Sequence, residues 1–301
     1  SGLTAFVGLS VAEYRGIPAI GTGLIPITPT PDFASPFLPP GKVPRRLNRA
    51  SHRLVNELLW QAFKKTTNAA RADVCGLPAR KHVWSDHPML YGVSPSLLPR
   101  PRDWAANAFV CGQWSAATTH WMPPPALEAF LAAGEAPIYI GFGSMAGFDH
   151  VAMTDALITA IAGRRALFYP GWSGIDGVSL PKNFFVVGET PHHWLFPRTS
   201  MAIHHAGSGT SHSAARAGIP SVAVPFAGDQ FFWAHRLRDA GVAGDPVPGK
   251  RLRASTLTQA IAFAQRPEVC DRARALGERM AQEDGLVAAV GAIERLVAAS
   301  L

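Results

Sequence analysis

The residues best suited to chemistry lie in one stretch, His204-His205-Ala206-Gly207-Ser208-Gly209-Thr210. It stands between a short apolar run at 201–204 and a helical pattern that stops at Gly218 and Pro220. Backbone N–H groups at the start of a helix have no intrahelical acceptor, and the helix dipole adds partial positive charge there. Glycines let the oxygens of an anion come close to the backbone. A diphosphate fits such a cradle. His205 stands just before the glycines, where its ring could donate to a phosphate oxygen, and Ser208 and Thr210 bring hydroxyls. The pattern is moderately specific, because a strand, a glycine-rich turn and a helix also make a sound plain connection.

The elements around it alternate regularly. Short apolar runs at 138–142, 166–169, 184–187, 201–204 and 221–225 are separated by helical patterns near 150–163, 209–217 and 229–240. Alternation of this kind predicts parallel strands joined by crossover helices. Three further helices are expected near 255–266, 267–283 and 285–299, the last crossing back to the first domain. Ahead of this region the chain is less regular. Pro26, Pro29, Pro31, Pro36, Pro39 and Pro40 enforce a long loop, a helix follows over roughly 47–72, and residues 108–111 read as a buried segment. The small, polar, proline-rich stretch from 115 to 125 has the composition of a linker. The expected division is a first domain over 1–111, a linker over 112–125 and a second domain over 126–301.

Composition bounds the setting. A chain of 301 residues, 48% hydrophobic and 9% aromatic, can bury two cores. No apolar run approaches the ~18 residues a membrane span requires, and the start lacks the layout of a signal peptide. Cys75, Cys111 and Cys270 are far apart, so a cytoplasmic, reducing setting is expected. Residues 1–120 hold 13 Lys+Arg against 6 Asp+Glu, so the whole net charge of +7 lies there. Lys42, Arg45, Arg46, Arg49 and Arg53 cluster where the helix with Leu54, Val55, Leu58, Leu59 and Phe63 begins. Such a helix is either the solvated face of a domain or, through residues 42–53, a peripheral contact with an anionic membrane. No nucleic-acid partner is expected.

Several ordered strings resemble the donor-binding signature of the UDP-glycosyltransferase superfamily, above all the sterol glucosyltransferases and related bacterial natural-product enzymes. They are His204–Thr210, Ala217-Gly218-Ile219-Pro220 and Val224-Pro225-Phe226-Ala227-Gly228-Asp229-Gln230-Phe231-Phe232-Trp233, with Ile138-Tyr139-Ile140-Gly141-Phe142-Gly143-Ser144, Pro191-His192-His193-Trp194-Leu195-Phe196-Pro197 and Ser94-Pro95-Ser96-Leu97-Leu98-Pro99-Arg100-Pro101. The resemblance implies an α/β protein of the GT-B type, two Rossmann-like domains with the amino-terminal one incomplete. It implies an inverting transfer of a hexose, glucose by resemblance, from a UDP-sugar to a hydroxyl of a sterol-like or other hydrophobic acceptor, without metal or cofactor. Gly143 and Ser144 then lie near the diphosphate and the reacting centre. His205, Gly207, Ser208, Gly209 and Thr210 cradle the diphosphate, and His192, Trp194 and Leu195 line the base. Trp172 lies near the nucleotide, and Asp229 with Gln230, at the carboxyl edge of the sheet, hydrogen-bond the sugar. A preorganised cradle suits a leaving nucleoside diphosphate, whose growing negative charge must be met by donors.

The chain departs from the family at its beginning. Relatives are expected to carry roughly a hundred residues before anything like residues 8–29, including the usual catalytic histidine, so no catalytic residue is assigned. His52, Asp86, His87 and His120 are the titratable groups of the acceptor-side segment, and none matches that base. Donor binding with weak or absent transfer is expected of this chain. One rival is a nucleotide-sugar-binding subunit that pairs with a separate acceptor half. A second is a nicotinamide-dependent oxidoreductase, since Gly141-Phe142-Gly143-Ser144-Met145-Ala146 satisfies G-x-G-x-x-A. The run at 166–169 ends without the acidic residue this motif requires, and Asp149 and Asp155 come too early. The histidine pairs at 192–193 and 204–205, with His212, lack a carboxylate or cysteine to complete a zinc site.

Overall fold

The computed structural model describes residues 5–115, 121–145, 149–171 and 180–298. The chain forms two compact units, one of Ser1–Ser115 with Asp284–Leu301 and the other of Ala116–Glu283. The second unit therefore ends before the last helix, short of the 126–301 span drawn from the sequence.

In unit 1, helix α1 (Ala5–Arg15) leads to strand β1 (Gly21–Gly23), helix α2 (Asn48–Cys75), strands β2 (Met89–Tyr91) and β3 (Ala108–Val110), and, much later, helix α10 (Gly285–Ala298). The strands form a parallel sheet in the order β1-β2-β3, with Gly21 opposite Met89 and Met89 opposite Ala108. The proline-rich stretch ahead of α2 has no helix or strand from 24 to 44, as expected. Helix α2 contains neither Gly nor Pro and runs for 28 residues until Gly76, at φ 63°, turns the chain left-handed. Arg71 is only 1% exposed. Its guanidinium takes both oxygens of Glu13 at 2.9 and 3.0 Å and so ties α2 to α1. Leu90 and Cys111 pack with Ala289 and Ala292 of α10.

Unit 2 begins with helix α3 (Pro125–Ala132), inside what the sequence reads as the end of a linker. Pro125 sits at the first helical position, where its missing N–H costs nothing. Strands β4 (Ile138–Gly141), β5 (Ala166–Tyr169), β6 (Phe184–Val186), β7 (Met201–His204) and β8 (Ser221–Ala223) follow. The helices among and after them are α4 (His150–Ile161), α5 (His192–Leu195), α6 (Ser208–Arg216), α7 (Gln230–Asp239), α8 (Ala254–Ala264) and α9 (Pro267–Ala281). All five strands are parallel, in the order β6-β5-β4-β7-β8.

Side chains alternate across the sheet, as strand geometry requires. Ile138, Ile140, Phe168, Met201 and Ile203 join a core with Leu157 of α4 and Ile261 of α8. Tyr139, Leu167 and Ala202 face the other way, into a core with Leu127 of α3, Leu195 of α5 and Ala214 of α6. Both faces are covered, which is why these strands read as nearly continuous apolar runs. The chain builds outward from β4 through β5 to β6, then returns to add β7 and β8 on the opposite side. The strand order reverses between β4 and β7. Open parallel sheets form their ligand crevice at the carboxyl ends of such a pair.

Candidate functional site

Beyond β4 the chain turns at Gly143, whose φ is 61°. Beyond β7 it turns at Ala206, an alanine at φ 60°. A non-glycine residue in the left-handed region is held there by its surroundings. His204 does the holding. Its Nδ1 accepts the Ala206 N–H at 3.1 Å, so its proton sits on Nε2, which donates to Ser221 Oγ at 3.0 Å. Burial, with repulsion from His205 and His192, pushes His204 down to about 3 and keeps it neutral. The first histidine of the pair thus fastens the turn, and the second is left without a part in that fastening.

The His205 ring lies between the two turns. A side chain on Gly143 would meet its Cε1 at 3.0 Å, and one on Gly207 would meet its Nε2 at 2.5 Å. Both glycines are needed because the imidazole occupies the space a Cβ would take. A Cβ on Gly171, just past β5 at φ 58°, would in turn stand 2.3 Å from the Gly143 carbonyl oxygen. The ends of β4 and β5 are therefore packed backbone to backbone, with the ring against the β4 end. Burial lowers the His205 pKa, and the Gly141 backbone opposes that shift.

Helix α6 opens from Gly207 with no capping side chain, and Ser211 N–H donates to the Gly207 carbonyl at 2.9 Å. The space beside Gly209 is open, with no atom beyond its chain neighbours and the helix's own backbone within 4 Å of where a Cβ would stand. Four buried side-chain atoms in this short span lack a hydrogen-bond partner: His205 Nδ1, Ser208 Oγ, Ser211 Oγ and His212 Nε2. Buried polar groups are normally paired, so a cluster of this kind marks polar capacity held for something else. His212 Nδ1 donates to the Ser208 carbonyl at 2.7 Å, which leaves its Nε2 as a bare acceptor against the ring of Trp233.

The remaining sequence-derived residues divide. His192 stands beside His205 and stacks on Phe196 at 4.3 Å. Burial first, then repulsion from His205 and His193, pushes it down to about 4. Gln230 is buried and its Oε1 accepts the N–H groups of Phe226 and Ala227 at 2.7 and 3.2 Å, while Nε2 reaches Met145 Sδ. Its carbonyl end is committed to shaping the turn after β8, so only the amide end remains for a ligand. Asp229 Oδ2 accepts Trp233 Nε1–H at 3.1 Å, and burial raises its carboxyl above the usual range. Trp233 is fully buried, its ring against those of His212 and Phe232.

Leu195 is 1% exposed and belongs to the core beneath α5. Trp194 packs against Trp121 and beneath the Arg198 guanidinium. It lines a recess of about 540 Å³ with Glu128 and Leu131, in which no other sequence-derived site residue takes part. Ser144 is exposed and Thr210 half-buried. Trp172 and His120 lie outside the described residues. His52 is fully buried, with Nε2 at 3.0 Å from the Phe33 carbonyl, as a structural histidine would be. Against the dinucleotide reading, helix α4 begins only at His150, capped by the Asp149 carboxylate on Ala152 N–H, and not inside the glycine run. Sequence reasoning missed the work of His204, Gly171 and Met145. The positive φ that a short Pro-Gly turn demands was the one signal available for Gly171.

The two units have the GT-B fold. The chain superposes on the glycosyltransferase of kitacinnamycin with a TM-score of 0.66 at 20% identity, over 98% of this chain and 74% of that one. For the spinosyn forosaminyltransferase SpnP the TM-score is 0.71 at 14% identity, over 99% and 75%. Within this fold, residues 169–289 match the family described as erythromycin biosynthesis protein CIII-like, C-terminal domain. The chain is also 34% identical to a sterol 3-beta-glucosyltransferase of Saccharomyces cerevisiae, over 96% of this chain and 26% of that protein. It is 34% identical to one of Arabidopsis thaliana, over 94% and 46%. The chain thus spans about a quarter to a half of the length of these relatives.

Proposed function

We propose that unit 2 binds a nucleoside-diphosphate sugar and that the chain is the donor-binding part of an inverting hexosyltransferase. The donor is UDP-glucose and the acceptor is a hydroxyl of a sterol or another hydrophobic alcohol. The observation that carries this reading is the uncapped opening of α6, with the unpartnered Ser208 hydroxyl and His205 Nδ1 beside it, where the strand order reverses. The amides of Ser208, Gly209 and Thr210 and the hydroxyl of Ser208 point to the diphosphate as their ligand, and His205 adds a ring donor. As the acceptor oxygen forms its bond to the anomeric carbon and gives up its proton to solvent water, the bond from that carbon to the diphosphate oxygen breaks, and the electron pair leaves with the phosphate. Fixed donors that need no reorganisation stabilise that charge better than water does. His192 would stand toward the nucleotide. Asp229 and the Gln230 amide would meet sugar hydroxyls, and Gln230 can offer only the donor end described above. No metal or cofactor enters this scheme.

Calorimetric titration with UDP and UDP-glucose tests the reading directly. Removing a hydrogen bond to a charged group costs ~1.5–3 kcal/mol, so His205→Ala should weaken UDP about tenfold to a hundredfold. Binding unchanged in His205→Ala would remove the histidine from the site. Failure of both ligands, with binding of a nicotinamide dinucleotide, would replace the proposal with the oxidoreductase reading.

A further inference from the structure

Helix α2 carries a face that neither core uses. Val55 and Trp60 point into unit 1, but Leu54 and Leu58 are 59% and 60% exposed, and Leu47, in the short helical turn Arg45–Leu47 that runs into α2, is 47% exposed. Leu54 and Leu58 share one line along the helix. Arg53 lies on the adjacent line, and Arg46 and Leu47, seven residues before Arg53 and Leu54, precede them at the same spacing. The amphipathic pattern read from the sequence is thus turned partly outward, with these leucines on the solvent side beside the arginines. Lys42, Arg45, Arg46, Arg53 and Lys65 are all exposed. Arg49 is the exception among the cluster, held by Asp103 at 2.9 Å. The one carboxylate on α2 near this face is Glu57, which accepts from Gln61.

We propose that this face of α2 docks on the surface of an anionic bilayer. The charges complement lipid phosphates and carboxylates, while leucines interleaved with arginines on an open helix face suit the boundary between headgroups and acyl chains. A bound peptide would need a groove, and neither the recess of about 410 Å³ in unit 1 nor the one of about 540 Å³ in unit 2 includes a residue of this face. The inference stands apart from the donor site, since none of these residues belongs to it.

Co-flotation of the full chain with phosphatidylcholine vesicles, with and without about 30% phosphatidylserine, tests it in about 0.1 M salt. The chain should float with the serine-containing vesicles only and be released when the salt is raised about fivefold. Leu54→Asp with Leu58→Asp should abolish flotation and leave UDP binding as it is. Arg46→Gln with Arg53→Gln should lower the partition coefficient about 25-fold, roughly fivefold per arginine. Absence of flotation by the unaltered chain, equal flotation with neutral vesicles, or flotation unchanged in both variants would overturn the proposal. So would a dimer in sedimentation velocity that the leucine variants dissociate in a chain that ignores lipid, which would make this face a contact between copies.

Discussion

Gly207 and Gly209 lie two residues apart and serve different ends, and this separates the cradle's shape from its occupancy. At Gly207 a Cβ would stand 2.5 Å from His205 Nε2, so Gly207→Ala must move the ring. At Gly209 the space is open and the residue is already helical. Alanine there should keep or raise stability by roughly 0.5 kcal/mol, yet its methyl would stand where phosphate oxygens approach the amides. The expected outcome is that both variants bind UDP about tenfold or more weakly, while only Gly207→Ala lowers the urea midpoint. Undiminished UDP affinity in Gly209→Ala would mean that the anion does not sit against that amide. The same scale explains why the sequence showed which residues form the turn but not the division of labour within it. Two adjacent histidines look alike in a string. Only the left-handed Ala206 and the bond from its N–H to His204 Nδ1 reveal that one is a fastener.

At the scale of elements, unit 2 stores neutral imidazoles under its sheet. His204, His212 and His192 are pushed by burial to about 3, about 4 and about 4, below the ordinary 6.5. A histidine whose folded pKa is depressed binds its proton more readily once unfolded. Its contribution to stability is therefore complete above 6.5 and is lost as the pH falls from 6.5 toward 4, or toward 3 for His204. In that window each can take away up to ~1.4 kcal/mol per pH unit. The urea midpoint followed by Trp233 fluorescence, whose ring is 4.8 Å from that of His212, should fall between pH 7 and pH 5. His212→Gln should flatten part of that fall, and an equal fall in the variant would exclude His212 as a source. The β4–β8 strands and helices α4, α6 and α7 were legible because a parallel sheet buried on both faces leaves apolar runs of fixed length between helical ones, whereas the four-residue α5 was too short to show a helical period. Helix α3 was not, since Pro123, Pro124 and Pro125 read as linker until the third is seen at a helix start. Helix α1, with Gly8 inside it, an exposed Val7 and Val11 and no acidic residue in its first turn, gave no amphipathic signal.

At the scale of the whole molecule the chain passes between the units twice, after Ser115 and after Glu283. Unit 1 is therefore discontinuous, and its core around Leu90 and Cys111 is closed by α10, far along the sequence. That closure agrees with the last helix expected to cross back to the first domain, and the charge asymmetry had already set the first 120 residues apart. The join is tight. Trp114 Nε1 donates to the Gly285 carbonyl at 3.1 Å, and a Cβ on Gly285 would stand 2.4 Å from the Gln113 carbonyl oxygen and 2.6 Å from the Gly112 backbone. Gly285→Val must push the start of α10 away from backbone that cannot yield as a flexible side chain would, at a cost of ~2 kcal/mol. Because the proposed donor site is built wholly from unit 2, the expected outcome is a lower unfolding midpoint by Trp114 environment with UDP affinity retained. Loss of UDP binding in step with the destabilisation would show that the cradle depends on unit 1, and the donor site would then have to be redrawn to include it.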